Sequence, residues 1–287
     1  MSRTLILTMP ATGAGGSGRD ALYAREAFIA LPLFGIFAAT VAVLLLFAEA
    51  GFRLGRYQGQ RSEMAQKAPI AEIVSAMLGL LAFMLGFTFS LAASRFDARR
   101  ALVVDEANAI GTTYLRAGLL SEPYRMEIRK LLRDYVKARL TYVQAGEIAQ
   151  GMARADEMQE RLWAEAVAAG GKNPGSIVTG LFIASLNEVI DLHAKRIAFS
   201  LRNHIPTSIW DALYFLAVCT IGTMGYHMGL VGARNVLAII PLVLAFSVVL
   251  FLIADLDHPQ KGLLKVSQQA LVDLLDKWNT EGPESKP

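Results

Sequence analysis

The 287-residue sequence holds one cysteine, four histidines and few charges: 18% Asp, Glu, Lys and Arg, against 54% hydrophobic residues. A single cysteine, Cys219, cannot form an internal disulfide and completes no zinc pattern. It lies in an apolar run and reads as a buried core thiol. No alternating stretch has strand quality and no internal repeat is present, which excludes sheet architectures and solenoids. There is no basic block and the net charge is only +3, so nucleic acid is not an expected partner. No nucleophile elbow, phosphate loop, catalytic carboxylate pair or Cys/His constellation occurs, and the sequence is not expected to be an enzyme or to need a cofactor. Gly13, Gly15 and Gly18 match GxGxxG literally. Only Leu5-Ile6-Leu7 precedes them, Pro10 intervenes, and the run after Glu26 is a membrane span and no part of a βαβ unit.

The sequence is rich instead in long uncharged runs. Mean hydropathy is +0.39, too apolar for an ordinary soluble domain and suited to an integral membrane protein. Four runs clear the spanning threshold: between Glu26 and Glu49, Ile73 to Ser94, between Asp211 and Arg234, and Asn235 to Ala254. The last two are separated only by residues around Gly232–Asn235 and form a tight antiparallel hairpin. The second run continues without proline into the charged segment Arg95 to Arg116. Together they predict one helix of about 44 residues, a rod of roughly 65 Å, against a hydrocarbon core of about 30 Å.

The expected class is therefore all-α: a four-span membrane protein with a helical cytosolic domain. The divisions are a disordered Gly-rich tail (1–25), spans one and two (26–94), a helical domain (95–206), spans three and four (207–254) and a C-terminal segment (255–287). Within the middle domain, Ser121-Glu122-Pro123 opens one helix. Met152 to Ala169 reads as another, ended by Gly170-Gly171, and Asn173-Pro174 opens the last. A C-terminal amphipathic helix up to Trp278 is expected to dock on this domain or on a neighbouring subunit. Arg95, Arg99, Arg100, Lys195, Arg196 and other Lys/Arg on the side of the middle domain outnumber Arg53, Arg56, Arg61, Lys67 and Arg234. The middle domain and both termini are therefore expected in the cytoplasm.

Four groups of residues are candidates for function. Gly79, Phe83, Gly86, Ser90 and Asp97 recur at helical spacing on one face of the second span, with Phe87 beside them. Such a face permits close helix packing. It also suits a pore lining with Phe83 and Phe87 as an apolar constriction. Asp97, Asp105, Glu106 and Asn108 lie where the rod leaves the membrane. They form either a solvated surface or, in an oligomer, rings lining a vestibule. Asn187, Glu188, Asp191 and Arg196 belong to a dense polar cluster that predicts an inter-helix network rather than a catalytic site. The lone His193 there reads as structural. Asp255 and Asp257 close the fourth span. They serve either helix-end solvation or as two of the six to eight oxygens that Ca²⁺ takes.

Leu85-Gly86-Phe87-Thr88-Phe89-Ser90, Ala93 to Arg100 and Asp105 to Thr112 together resemble the bacterial bestrophin-like membrane protein family. Leu186 to Asp191 and Ile253 to Asp257 look like its later blocks. The resemblance implies a distant relative of bestrophins, which are pentameric anion channels with four spans per subunit and helical cytosolic parts. It further implies a bacterial inner-membrane location. The second span would line the pore, Phe83 and Phe87 would form its neck, and Gly79 and Gly86 would space them. Calcium-regulated bestrophins carry an acidic run after the fourth span, where this chain has only Asp255-Leu256-Asp257. The expected function is a homo-oligomeric channel for small anions, with membrane lipids, small ions and copies of itself as partners. A non-conducting scaffold or sensor with a partner-binding cytosolic domain is the other reading.

Overall fold

The structure is a computed structural model that describes residues 33–59, 67–145, 148–201, 204–258 and 263–280. The Gly-rich tail, the first residues of the first predicted span, Arg61, Arg202 and Lys261 lie outside the described residues. Among those described there are eight helices and no strand: α1 (Leu33–Gly59), α2 (Lys67–Ala117), α3 (Tyr124–Ala145), α4 (Ile148–Lys172), α5 (Ile177–Leu201), α6 (Thr207–Val231), α7 (Val236–Asp257) and α8 (Gln269–Thr280). The expected second span and its charged continuation are one unbroken 51-residue helix, α2. Its only proline, Pro69, sits in the first turn, where no backbone donor is lost.

Two boundaries differ from expectation. Gly170 and Gly171 do not end α4, which continues to Lys172. A Cβ at Gly170 would meet only ordinary contacts, Ile183 Cδ1 at 3.8 Å and Thr179 Cγ2 at 4.0 Å, and one at Gly171 nothing within 4 Å, so neither glycine is needed for close approach. The helix stops at Lys172, before Asn173-Pro174, and Gly175, with φ +89, completes the turn into the next helix. Ser176 then opens α5 by accepting the Thr179 N–H at 3.3 Å. At the other end of the fold, α1 continues past Glu49 to Gly59, its Gly51, Gly55 and Gly59 packed on α6, while Glu49 pairs with Arg53 at 2.8 Å and with Arg234 at 2.9 Å. Gly232, with φ +76, closes α6 in the left-handed conformation and turns the chain into α7.

Among the described residues five helices are long and apolar enough to cross a bilayer, one more than expected: α1, α2, α5, α6 and α7. They do not share one core. Leu44, Leu81, Leu85, Leu213, Ala217, Ile221, Val243 and Leu250 form a cluster from α1, α2, α6 and α7. A second cluster, with Ile110, Tyr114, Ile128, Leu132, Tyr135, Leu162, Phe182, Leu186 and Trp278, joins the far half of α2 to α3, α4, α5 and α8. The apolar character of α5 serves this second core. α8 docks there through Leu271 and Trp278, and Trp278 stacks on Tyr114 at 4.1 Å.

The tightest helix contact runs along glycines. A Cβ added at Gly51 or Gly55 of α1 would lie 2.1 Å from the Gly222 carbonyl oxygen or 2.0 Å from that of Tyr226. At Gly225 or Gly229 of α6 it would lie 2.2 Å from the Ala48 or Phe52 oxygen. The two backbones touch because glycine occupies at least one side of each contact, the close approach that small residues permit between helices in lipid.

Candidate functional site

The face singled out on α2 is bare. Phe83 and Phe87 are 68% and 60% exposed, and Gly79, Gly86, Ser90 and Asp97 are not buried either. A Cβ at Gly79 or Gly86 would meet nothing within 4 Å. The stripe by which α2 packs on its own chain is Val74, Leu81, Leu85, Thr88 and Ala92. At about 100° per residue, the Gly79–Asp97 face lies about 160° round the helix from that stripe. Asp105 and Asn108 are exposed on the same outer side further along.

Glu106 does not join them, and its expected place beside Asp105 in a vestibule needs correction. One residue on a helix turns the side chain by about 100°. Glu106 therefore falls on the buried stripe and is fully enclosed. Its Oε1 accepts from Tyr135 Oη at 3.0 Å. Its Oε2 accepts from Arg139 Nη2 at 3.2 Å and from Arg196 Nη1. Gln159 Nε2 donates to Tyr135 Oη at 3.3 Å. Arg196 Nη2 donates to Gln268 Oε1 at 3.2 Å. His193 Nε2 lies 3.1 Å from Asp156, and its Nδ1 lies 3.4 Å from Tyr135 Oη, whose one proton goes to Glu106. One carboxylate thus gathers side chains from α2, α3, α4 and α5, with the residue before α8 at the rim.

The electrostatics come from that enclosure. Burial alone would push the Glu106 carboxyl up, but the Arg139 and Arg196 guanidiniums more than offset it and hold the group at about 2. Burial, with the Glu106 charge beside it, drives the Tyr135 phenol up and keeps it protonated. Burial and the neighbouring Arg139 lower His193 below the ordinary histidine range. The neutral ring carries its proton on Nε2, because the Asp156 carboxylate can only accept. The network in this region is built mostly from other residues than those predicted. Of the four residues expected in it, only Arg196 takes part. Asn187, Glu188 and Asp191 stand exposed on the outer side of α5.

Asp255 and Asp257 also need correction as a shared calcium pair. Both are 1% exposed, and they turn to different backbone partners. Asp255 accepts the Leu263 and Leu264 N–H groups at 2.7 and 3.1 Å. Asp257 accepts the Ile205 N–H with both oxygens, at 3.0 and 3.2 Å. They fasten the segments that leave α7 and enter α6. Arg99 adds a third tie there, donating to the Leu256 carbonyl at 3.2 Å and the Phe199 carbonyl at 3.4 Å.

Known proteins resemble this arrangement in sequence family and in fold. Residues 35–271 match the Bestrophin-like domain. A crystal structure described as that of a membrane protein superposes with a TM-score of 0.56 at 15% identity, covering 88% of this chain and 99% of its own. At that identity the likeness is one of fold. No curated protein matches the sequence significantly. The domain match takes in α2 with its bare face, the Glu106 network and the α6–α7 hairpin, and the chain belongs to the Bestrophin-like family.

Proposed function

We propose that this protein is a homo-oligomeric ion channel of the bacterial inner membrane, conducting small anions along a pore lined by α2. The observation that carries this reading is the position of the Gly79–Phe83–Gly86–Phe87–Ser90 face, opposite the stripe by which α2 holds its own subunit. Copies of α2 that turn this face to a common axis bury their phenylalanines against one another and form an apolar neck. Four helices cross the bilayer in this reading: α1, the first half of α2, α6 and α7. α5 stays outside it, since its buried side supplies a protein core and its other side carries Asn187, Glu188, Asp191 and Lys195. The second half of α2 then stands in the cytoplasm, where Asp97, Asp105 and Asn108 face a vestibule. Five subunits are expected by analogy with bestrophins.

Chloride efflux from proteoliposomes tests this directly. The expected result is flux that Phe83→Ala changes without loss of folded protein, and that Asp97→Asn raises by removing a carboxylate from the anion path. Silent liposomes carrying folded protein overturn conduction. A mass in detergent equal to one or two chains overturns the ring and favours the scaffold reading.

A further inference from the structure

Where α7 ends, three side chains not accounted for by the pore converge. His204, between α5 and α6, and Asp257 and His258, at the end of α7, bring one nitrogen or oxygen each within 4.8 Å of one another. His204 Nδ1 lies 3.8 Å from Asp257 Oδ2, and His258 Nδ1 lies 4.0 Å from the same oxygen. The two imidazoles stack with centroids 5.0 Å apart and planes 19° apart. We infer that His204, Asp257 and His258 form a binding site for a transition-metal dication of the zinc type.

Two of the three separations fit such an ion, and the third, between the imidazoles, lies within 4.8 Å and closes as the rings turn to the metal. Zinc bonds to imidazole nitrogen and carboxylate oxygen are about 2.0–2.2 Å, so two donors on one ion stand at most about 4.2 Å apart. Both Nδ1–Oδ2 distances already lie inside that limit. Two nitrogens and one oxygen suit zinc, nickel or copper, whereas calcium takes six to eight oxygens. The carboxylate is pre-oriented, because the Ile205 N–H holds both its oxygens while each keeps a free lone pair. Asp257 is enclosed, but the His204 and His258 side chains are 30% and 41% exposed, which leaves an entry path.

The imidazoles have other contacts that ligation would displace. Each Nδ1–H donates to a backbone carbonyl, His204 to Asp257 at 3.1 Å and His258 to Ala254 at 3.2 Å. Ligation moves each proton to Nε2 and exchanges these hydrogen bonds for metal bonds. The Ala254 carbonyl keeps the His258 backbone N–H at 3.1 Å. The Arg99 guanidinium, on the Leu256 carbonyl beside Asp257, opposes a second cation and makes the site weaker than a closed four-ligand one. Three protein ligands leave the fourth position open to water. A bound ion would staple the entry of α6 to the end of α7 at the membrane boundary, in a way that responds to metal.

The test uses tag-free, full-length protein in detergent, stripped with a chelator and titrated with Co²⁺ and then Zn²⁺. One Co²⁺ per chain is expected, with the visible ligand-field band of a low-coordinate nitrogen/oxygen site, displaced by Zn²⁺ and unmoved by equal Ca²⁺. His204→Ala and His258→Ala should each weaken binding about tenfold or more. His258→Gln, at a half-exposed position, serves if either alanine variant fails to fold. Binding that survives in the His204→Ala/His258→Ala double variant assigns the ion elsewhere and overturns the site. So does the absence of a band from monodisperse protein, or displacement of Co²⁺ by Ca²⁺.

Discussion

The two lengths of α2 obey opposite rules. From Ile73 to Ser94 the helix has no ionisable side chain, and most of its circumference is uncovered by its own chain. From Arg99 to Ala117 it is wrapped: Val103, Glu106, Ala107, Ile110, Thr113, Tyr114 and Ala117 are all buried, beneath α3, α5 and α8. One helix axis and one continuous buried stripe serve both. The difference lies in what surrounds that stripe. The wrapped half meets its needs within the subunit, including those of a buried carboxylate. The bare half presents Phe83 and Phe87 with no partner from the described chain, and its complement lies outside the subunit, in lipid or in another copy. A stretch of small residues with phenylalanine has a meaning here only through the element that covers it or fails to.

Substitution of Glu106 should separate the halves most sharply. Glu106→Gln leaves the Arg139 and Arg196 guanidiniums without their anion, and removing one partner of a buried ion pair costs about 3–5 kcal/mol. Thermal unfolding of the detergent-solubilised protein should show a large loss of stability. A loss under about 1 kcal/mol would mean that water reaches the network and that this half is not wrapped as described.

The glycines give the next contrast, with the same substitution at two places. Gly225→Leu drives a side chain into the Ala48 backbone and should cost about 1–3 kcal/mol or more, since neither backbone can yield without parting α1 from α6. Gly86→Leu meets open space. It should leave subunit stability within about 1 kcal/mol of the parent, or raise it slightly through helix propensity, while altering oligomer mass or chloride flux. Equal destabilisation by both would erase the distinction between a packed glycine seam and an open glycine face.

Much of this was legible in the sequence. Hydropathy marks α1, α2, α6 and α7, and the absence of proline after Pro69 gives the unbroken rod. Helical spacing alone places Gly79, Phe83, Gly86, Ser90 and Asp97 on one side. Register also assigns Asp105 outward and Glu106 inward, since adjacent residues on a helix point about 100° apart. The membership of the network was not legible. Its contacts join Glu106 to residues 29 to 90 positions away, and nothing local distinguishes Arg196 from Lys195 as the one that turns in. The four-residue spacing of Gly51, Gly55 and Gly59 was visible, but the segment fell outside the first predicted span. The roles of Asp255 and Asp257 depend on loops that return to them, so their carboxylates looked like a pair only while those loops were unknown.

The smallest effect expected is a slope rather than a loss, and it belongs to the wrapped half alone. His193 is held below its ordinary value by burial and by Arg139, so in the folded chain it stays neutral while an unfolded chain begins to protonate near pH 6.5. The unfolded state then binds more protons, and stability falls as pH drops through that region. Glu106 acts in the same direction lower down. Its carboxyl sits at about 2 against 4.5 for the unperturbed group, so its contribution is complete above about pH 4.5 and is lost as pH falls from there toward 2. Unfolding temperatures of metal-free protein should therefore decline between pH 7 and pH 5. His193→Gln, whose amide can still donate to Asp156, should flatten that decline. Phe83→Ala and Gly86→Leu should leave its steepness unchanged, because the bare half contains nothing to titrate. Parallel curves for the parent and His193→Gln would show that water already solvates the ring, and the enclosure of this half would have to be redrawn around His193.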